Sequence, residues 1–257
     1  MRKTILLSAL ACCLLSSSSY AQYPQVHHTK YLLKAPTVRK FYVGSGLDAA
    51  IFSTATIHHD AGTPEVNGIA NTNINTLGII RFTYAVNLGV TFNFNFSPHV
   101  GMFTGLDIKN IGYIEQSNGY TLKRRTYNVG VPLGFKFGNM ADNKCKVFLG
   151  GGIEAPINYN EKFFHDRDNK KRINEWFSDR TPQLMPYAFL GASFNHGIST
   201  KVQYYPNNFL NQNFKDDQGN MPNQGTVVNL IMFSIGFNMA VHVGHGNNHD
   251  HDHNNMK

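Results

Sequence analysis

Between Phe82 and Phe96 the chain reads FTYAVNLGVTFNFNF, a strict two-residue alternation sustained over fifteen residues. Phe82, Tyr84, Val86, Leu88, Val90, Phe92, Phe94 and Phe96 fall on one face. Thr83, Ala85, Asn87, Gly89, Thr91, Asn93 and Asn95 fall on the other. Side chains alternate across a strand, whereas a helix repeats every 3.6 residues, so no helix can sustain this pattern. At ~3.3 Å per residue the segment extends ~50 Å, far beyond the usual globular strand of about five or six residues. Even tilted by ~45° it crosses a ~25 Å apolar band. Such a strand belongs in a membrane.

The same template yields eight strands, near Phe41–Ser53, Ile80–Phe96, Val100–Ile111, Arg124–Phe137, Lys144–Asn158, Leu184–Phe194, Ile198–Tyr205 and Val227–Val241. Short connections at Ser97–His99, Gly138–Asn143 and Asn195–Gly197 alternate with long ones at Thr54–Ile79, Gly112–Lys123, Tyr159–Gln183 and Pro206–Thr226. Short periplasmic turns and long extracellular loops are the asymmetry of an outer-membrane barrel. The expected fold is therefore all-β, an eight-stranded antiparallel transmembrane β-barrel. An even strand count then leaves both termini periplasmic. Composition agrees: only 15 % of residues are charged, against ~25 % in soluble domains, while aromatics reach 12 % and glycines number 23. Mean hydropathy is −0.29, which excludes a bundle of membrane helices, and 42 % apolar residues exclude a disordered chain.

Residues 1–21 read as a signal peptide. Arg2 and Lys3 precede an apolar run from Thr4 to Leu15, and Ser19-Tyr20-Ala21 places small residues at −3 and −1. Residues 22–40 form a periplasmic N-terminal segment, 41–243 the barrel, and 244–257 a His-rich disordered tail. With the leader removed, Cys145 is alone, so no internal disulfide can form. No stripe of Lys and Arg points to nucleic acid.

Strand parity turns Asp48, Arg81, Asp107, Lys109, Arg124, Lys136, Lys146, Glu154, Lys201 and Gln203 inward. A charge in a narrow lumen must be paired or hydrated. Mutual ion pairs bracing the barrel are one reading; an anion site near the mouth is the other. Arg81, Lys109, Arg124 and Glu154 are expected towards the loop end, with Asp48 and Asp107 nearer mid-height. Eight strands enclose a space that their own side chains fill, which argues against solute conduction. Pro132 lacks an N–H and predicts a bulge in the fourth strand.

That strand, RRTYNVGVPLGFKFG from Arg124 to Gly138, resembles a signature of the PorT-like outer-membrane β-barrel family at Arg124, Tyr127, Val131, Pro132, Leu133, Lys136 and Phe137. VFLGGGIEAPINY, Val147 to Tyr159, resembles the glycine-rich strand that follows it in that family. The resemblance covers roughly Phe41 to Val243. It implies a small barrel with a periplasmic N-terminus and, as one functional reading, a secretion-accessory role. The chain departs from the wider outer-membrane pattern at its end, where a polar tail replaces a terminal aromatic residue.

No catalytic constellation emerges. No Gly-x-Ser-x-Gly elbow exists, and His196 and Ser199 face opposite sides of a strand. Recognition falls to the loops, above all Tyr159–Gln183, where Phe163, Phe164, Trp176 and Phe177 sit among many charges. These side chains either fold over the barrel mouth or form a contact surface for a protein partner. His245, His249, His251 and His253 in the tail are candidate ligands for Zn, Ni or Cu. The reading that follows is a non-enzymatic structural or interaction protein embedded in outer-membrane lipid, with partners at extracellular loops or the periplasmic face. A metal- or anion-binding outer-membrane protein is the remaining alternative.

Overall fold

The computed structural model describes residues 38–60, 75–117, 120–140, 145–165, 169–194 and 197–240. The expected leader, most of the N-terminal segment and the whole tail lie outside them. Ten strands form: β1 Phe41–His59, β2 Asn75–Leu77, β3 Arg81–Asn95, β4 Val100–Ser117, β5 Tyr120–Gly138, β6 Lys146–His165, β7 Asn169–Trp176, β8 Met185–Ser193, β9 Ile198–Tyr205 and β10 Thr226–Ala240. Eight of them run in the order β10-β9-β8-β6-β5-β4-β3-β1, and β1 pairs back onto β10 from Gly44↔Ala240 to His59↔Thr226. Every ladder is antiparallel and the ring is closed. β2 and β7 stand outside it, pairing with the far ends of β1 and β6.

Three strands overrun their expected ends. β1 continues to His59 and β4 to Ser117, while β6 reaches His165 and turns back as β7. β5 starts four residues early, at Tyr120. The expected loops Gly112–Lys123 and Tyr159–Gln183 are thus largely sheet. Apolar alternation is required only where the outer face meets lipid. Beyond that height outward positions carry Lys123, Arg125 and Lys162, and the sequence signal fades although the ladder goes on.

The outer face carries the belt. Val129, Val131, Leu133, Phe135 and Phe137 on β5 are 38–52 % exposed, uncovered by protein. Ile231, Phe233, Ile235, Phe237 and Met239 do the same on β10. Tyr127 to Phe137 is ten residue steps, ~33 Å along the strand and ~25 Å across the membrane at a ~40° tilt. Residues beyond Asn158 and Tyr127 therefore project past the lipid.

Pro132 makes no bulge. The β5–β6 register passes through Pro132↔Gly152 unbroken and shifts instead between Tyr127 and Asn128. On its other side the β4–β5 ladder skips Pro132 and Val131 and resumes in the same register at Asp107↔Gly130. The missing N–H removes a bond without displacing the strand, and Thr104 Oγ1 donates to the Pro132 carbonyl at 2.9 Å. A second shift, between Asp48 and Ala50 of β1, lets Asp48 and Ile51 both face inward.

One seam is incomplete. β3 and β4 are laddered from Asn95↔Gly101 only to Leu88↔Ile108. Above that point lies an isolated bridge, Ile79↔Ile114. Side chains stitch the gap: Arg81 donates to Asn110, the Asn110 amide donates to Asn87 Oδ1 at 3.0 Å, and Ser53 donates across to the Gly112 carbonyl at 2.7 Å.

A closed ring holds its backbone bonds internally, so unheated protein should migrate anomalously in SDS gels and shift on boiling. Identical mobility before and after heating would argue against closure.

Candidate functional site in the barrel lumen

The interior is built in layers. At the long-connection end Arg124 donates through Nε to Glu161 at 2.8 Å and through Nη1 to Tyr113 at 2.9 Å. Beside it, the His59 ring sits between Glu115 and Thr226, each 3.1 Å away. Phe209 and Leu210, from the connection between β9 and β10, are fully buried here, Phe209 edge-on to Tyr113 at 5.5 Å. Residues 206–225 thus cover the mouth together with part of the 159–183 connection, whose Phe163 is buried and whose Arg180 carbonyl accepts from Asn211 and Asn223.

The next layer centres on Glu154, which is wholly buried. It accepts from Lys109 at 2.7 Å, from Tyr205 at 2.9 Å and from Asn128 at 2.9 Å. Lys109 also reaches Asp107 at 3.0 Å and lies 3.9 Å over the Tyr187 ring. Lys109 and Glu154 therefore share a level with Asp107, which corrects the expectation that they sit nearer the mouth. Below them Lys201 pairs with Asp48 at 3.2 Å, and Asn87 donates to the same carboxylate at 3.1 Å. Lower still, Lys136 donates to Tyr42 at 3.1 Å, Asn93 at 2.9 Å and Asn95 at 3.3 Å, all neutral acceptors. Lys146 and Gln203 are buried as well, and Arg81 serves the seam described above.

Parity thus turned every one of these side chains inward but missed two acids. Glu115 and Glu161 balance the bases at the mouth, and both lie in segments read as loops. The lumen is also less full than expected. A cavity of about 600 Å³ occupies its short-turn half, lined by Tyr42, Phe103, Lys136, Phe148, Phe189 and Ser199 among others. Gly44, Gly46 and Gly89 line it too; without side chains they leave that space open.

The contact candidates divide. Phe163 is buried, stacked on Tyr120 at 5.5 Å, and Phe164 lies beneath the ammonium groups of Lys123 and Lys170. Trp176 and Phe177 are 68 % and 77 % exposed on the outer face. Trp176 is in register with Asn158 and so with Tyr127, at the rim of the belt, where amphipathic rings favour the interface. Phe177 adopts a φ of 52° as the chain leaves β7. Within β7, just before Trp176, partial burial pushes the Glu175 carboxyl up, but hydrogen bonds from Arg180 and Ser178 outweigh it and hold it below the usual range. Among the described residues no group of three His, Cys, Asp or Glu is placed to hold a metal. The tail candidates His245, His249, His251 and His253 lie outside those residues.

A closed ring with a lipid-facing apolar belt and a lumen lined by paired charges defines a transmembrane β-barrel. Residues 56–244 match the family described as outer membrane protein beta-barrel domain, and the chain belongs to that family and to the outer membrane. No curated protein matches it in sequence. Among solved structures it is similar to Neisserial surface protein A (10 % identity, TM-score 0.37, covering 80 % of this chain and 99 % of that one). It is also similar to OprG of Pseudomonas aeruginosa (13 %, 0.34, 80 % and 97 %). Ail of Yersinia pestis, solved with a heparin analogue, is a third (11 %, 0.32, 76 % and 99 %).

Proposed function

We propose that the protein is a non-conducting, non-enzymatic interaction barrel, which works through the elements it holds above its long-connection end. The carrying observation is the blocked mouth: Phe209 and Leu210 are buried over a lumen already crossed by the Glu154 and Arg124 networks. With solute passage closed, the projecting β6–β7 hairpin and residues 206–225 are the parts left to meet a partner. Trp176 and Phe177 anchor the hairpin base at the lipid rim, and Lys170, Lys171 and Arg172 stand exposed above it. Both termini are periplasmic in this reading, which puts the hairpin outside the cell. Protease added to intact cells should cut first at Lys170–Arg172 and leave the ring intact. Cleavage there only after the outer membrane is opened would reverse the orientation and end the proposal.

A secretion-accessory role is the second reading, supported by the likeness of β5 to PorT-like barrels. A partner would then meet the short-turn end, where the 600 Å³ cavity lies. Crosslinking in native membranes should in that case trap a periplasmic or inner-membrane component; recovery of the barrel alone would remove this reading.

A further inference from the structure

Above the lipid belt, the outer face of β5, β6 and β7 collects cations in register. Lys123 lies directly opposite Lys162, and Lys162 directly opposite Arg172. The row below holds Arg125, Asn160 and Asn174; the row above holds Thr121, Phe164 and Lys170. Across these three rows, among the described residues, there are five cations and no acid. Like charges directly opposite one another destabilise a sheet, so the arrangement needs a counter-charge from elsewhere. Among the described residues the nearby acids are already engaged, Glu161 with Arg124, Glu115 with His59 and Glu175 with Arg180.

Two further observations point to a ligand. A cavity of about 100 Å³ opens in this patch, lined by Arg81, Ile114, Lys123, Arg124, Arg125, Asn160 and Lys162. Two guanidinium nitrogens of that lining, Arg81 Nη1 and Arg125 Nε, are buried without any hydrogen-bond partner. Arg81 is itself only 9 % exposed, and reaches the site through the gap in the β3–β4 seam. Orphaned buried donors are rare and costly, and guanidinium forks match the oxygens of a phosphate. Although little buried, the Lys162 ammonium is also pushed down, by desolvation and by its neighbours Arg125, Arg172, Lys170 and Lys123.

Height selects the ligand. Arg125 stands one row above Tyr127, with its guanidinium 5.7 Å from that ring, and Trp176 closes the same lower row. Aromatic side chains of this kind mark the boundary between acyl chains and headgroups. The cations therefore lie at headgroup level and face the membrane, not the lumen. We infer that the outer face of β5–β7 is a binding site for the phosphate of an anionic membrane lipid, clamped by Arg81, Lys123, Arg125 and Lys162 and flanked by Lys170 and Arg172. The acyl chains of such a lipid would lie along the belt below Tyr127.

The full-length protein in phosphatidylcholine nanodiscs doped with phosphatidic acid, a phosphomonoester lipid, provides the test, with retained lipid read by native mass spectrometry. Wild type should retain phosphatidic acid selectively. Arg125→Gln and, separately, Lys162→Gln should each lower that retention about tenfold, whereas Lys215→Gln, an equal charge change on the distant 206–225 connection, should leave it unaltered. Heat-shifted mobility reports folding of each variant; if Arg125→Gln does not fold, the partly exposed Lys162 decides. Unchanged retention in the folded variants would overturn the site. Full displacement of the lipid by an equal concentration of inorganic phosphate would overturn the lipid assignment and leave an anion pocket instead.

Discussion

Glu154→Leu should destabilise the folded barrel by about 3–5 kcal/mol, the usual cost of removing one partner from a buried charge network. Three donors converge on this carboxylate; without it Lys109 keeps Asp107 and Asn128 keeps only the weak Met185 Sδ acceptor at 3.9 Å. Tyr205 would be left with an unused donor, and the leucine cannot hydrate the space. Glu154→Gln retains an acceptor and should cost roughly 1–2 kcal/mol. Urea titration of barrels refolded into lipid vesicles measures both. A leucine variant within 1 kcal/mol of wild type would mean that water, not Glu154, satisfies the network.

Leu133→Arg should impair assembly by ~2–4 kcal/mol, because Leu133 is the middle residue of the outward row from Val129 to Phe137 and sits near the midplane. Its side chain is 52 % exposed in the protein alone, so the penalty comes from lipid and not from steric conflict. The comparison is Gln116→Arg, which is outward and exposed but lies at the far end of β4 beyond the belt; there the change should be nearly neutral. Equal damage at both positions would show that the belt has been placed at the wrong height.

Where lipid imposed alternation, the sequence was easy to read. The eight ring strands and the inward parity of Asp48, Asp107, Lys109, Lys136 and Lys201 follow from period two, because one misplaced residue would put a charge in the membrane; the barrel architecture follows from the alternation of short and long connections. Past the belt that constraint lapses. The upper ends of β1, β4 and β6 are hydrogen-bonded strands whose outward positions carry polar groups, so they read as loops. With them went Glu115 and Glu161, and the mouth looked too basic. A different kind of information was missing for the plug. Nothing in the composition of Pro206–Thr226 distinguishes Phe209 and Leu210 from exposed loop residues; what buries them is the shape of the mouth they close, which only the assembled ring supplies. The lumen cavity was hidden for a related reason. Counting strands gives the barrel's width, but whether side chains fill it depends on where the glycines stack.

The interrupted seam between β3 and β4 carries a mechanical meaning. A hoop loses its strength at its weakest joint, and here the staves run side by side beyond the last rung that ties them, Leu88↔Ile108. Among the described residues the fastening above that rung is the backbone bridge at Ile79↔Ile114 and two side-chain hydrogen bonds, with Ser53 of β1 reaching past β3 to Gly112; each side-chain bond is open to loss by one substitution. Thermal breathing will start there and travel downwards as an unzipping. The amides of Asn110 and of the unladdered stretch of β3 should exchange with deuterium ahead of those in the unbroken β5–β6 wall, which makes this joint the natural place for a disulfide staple.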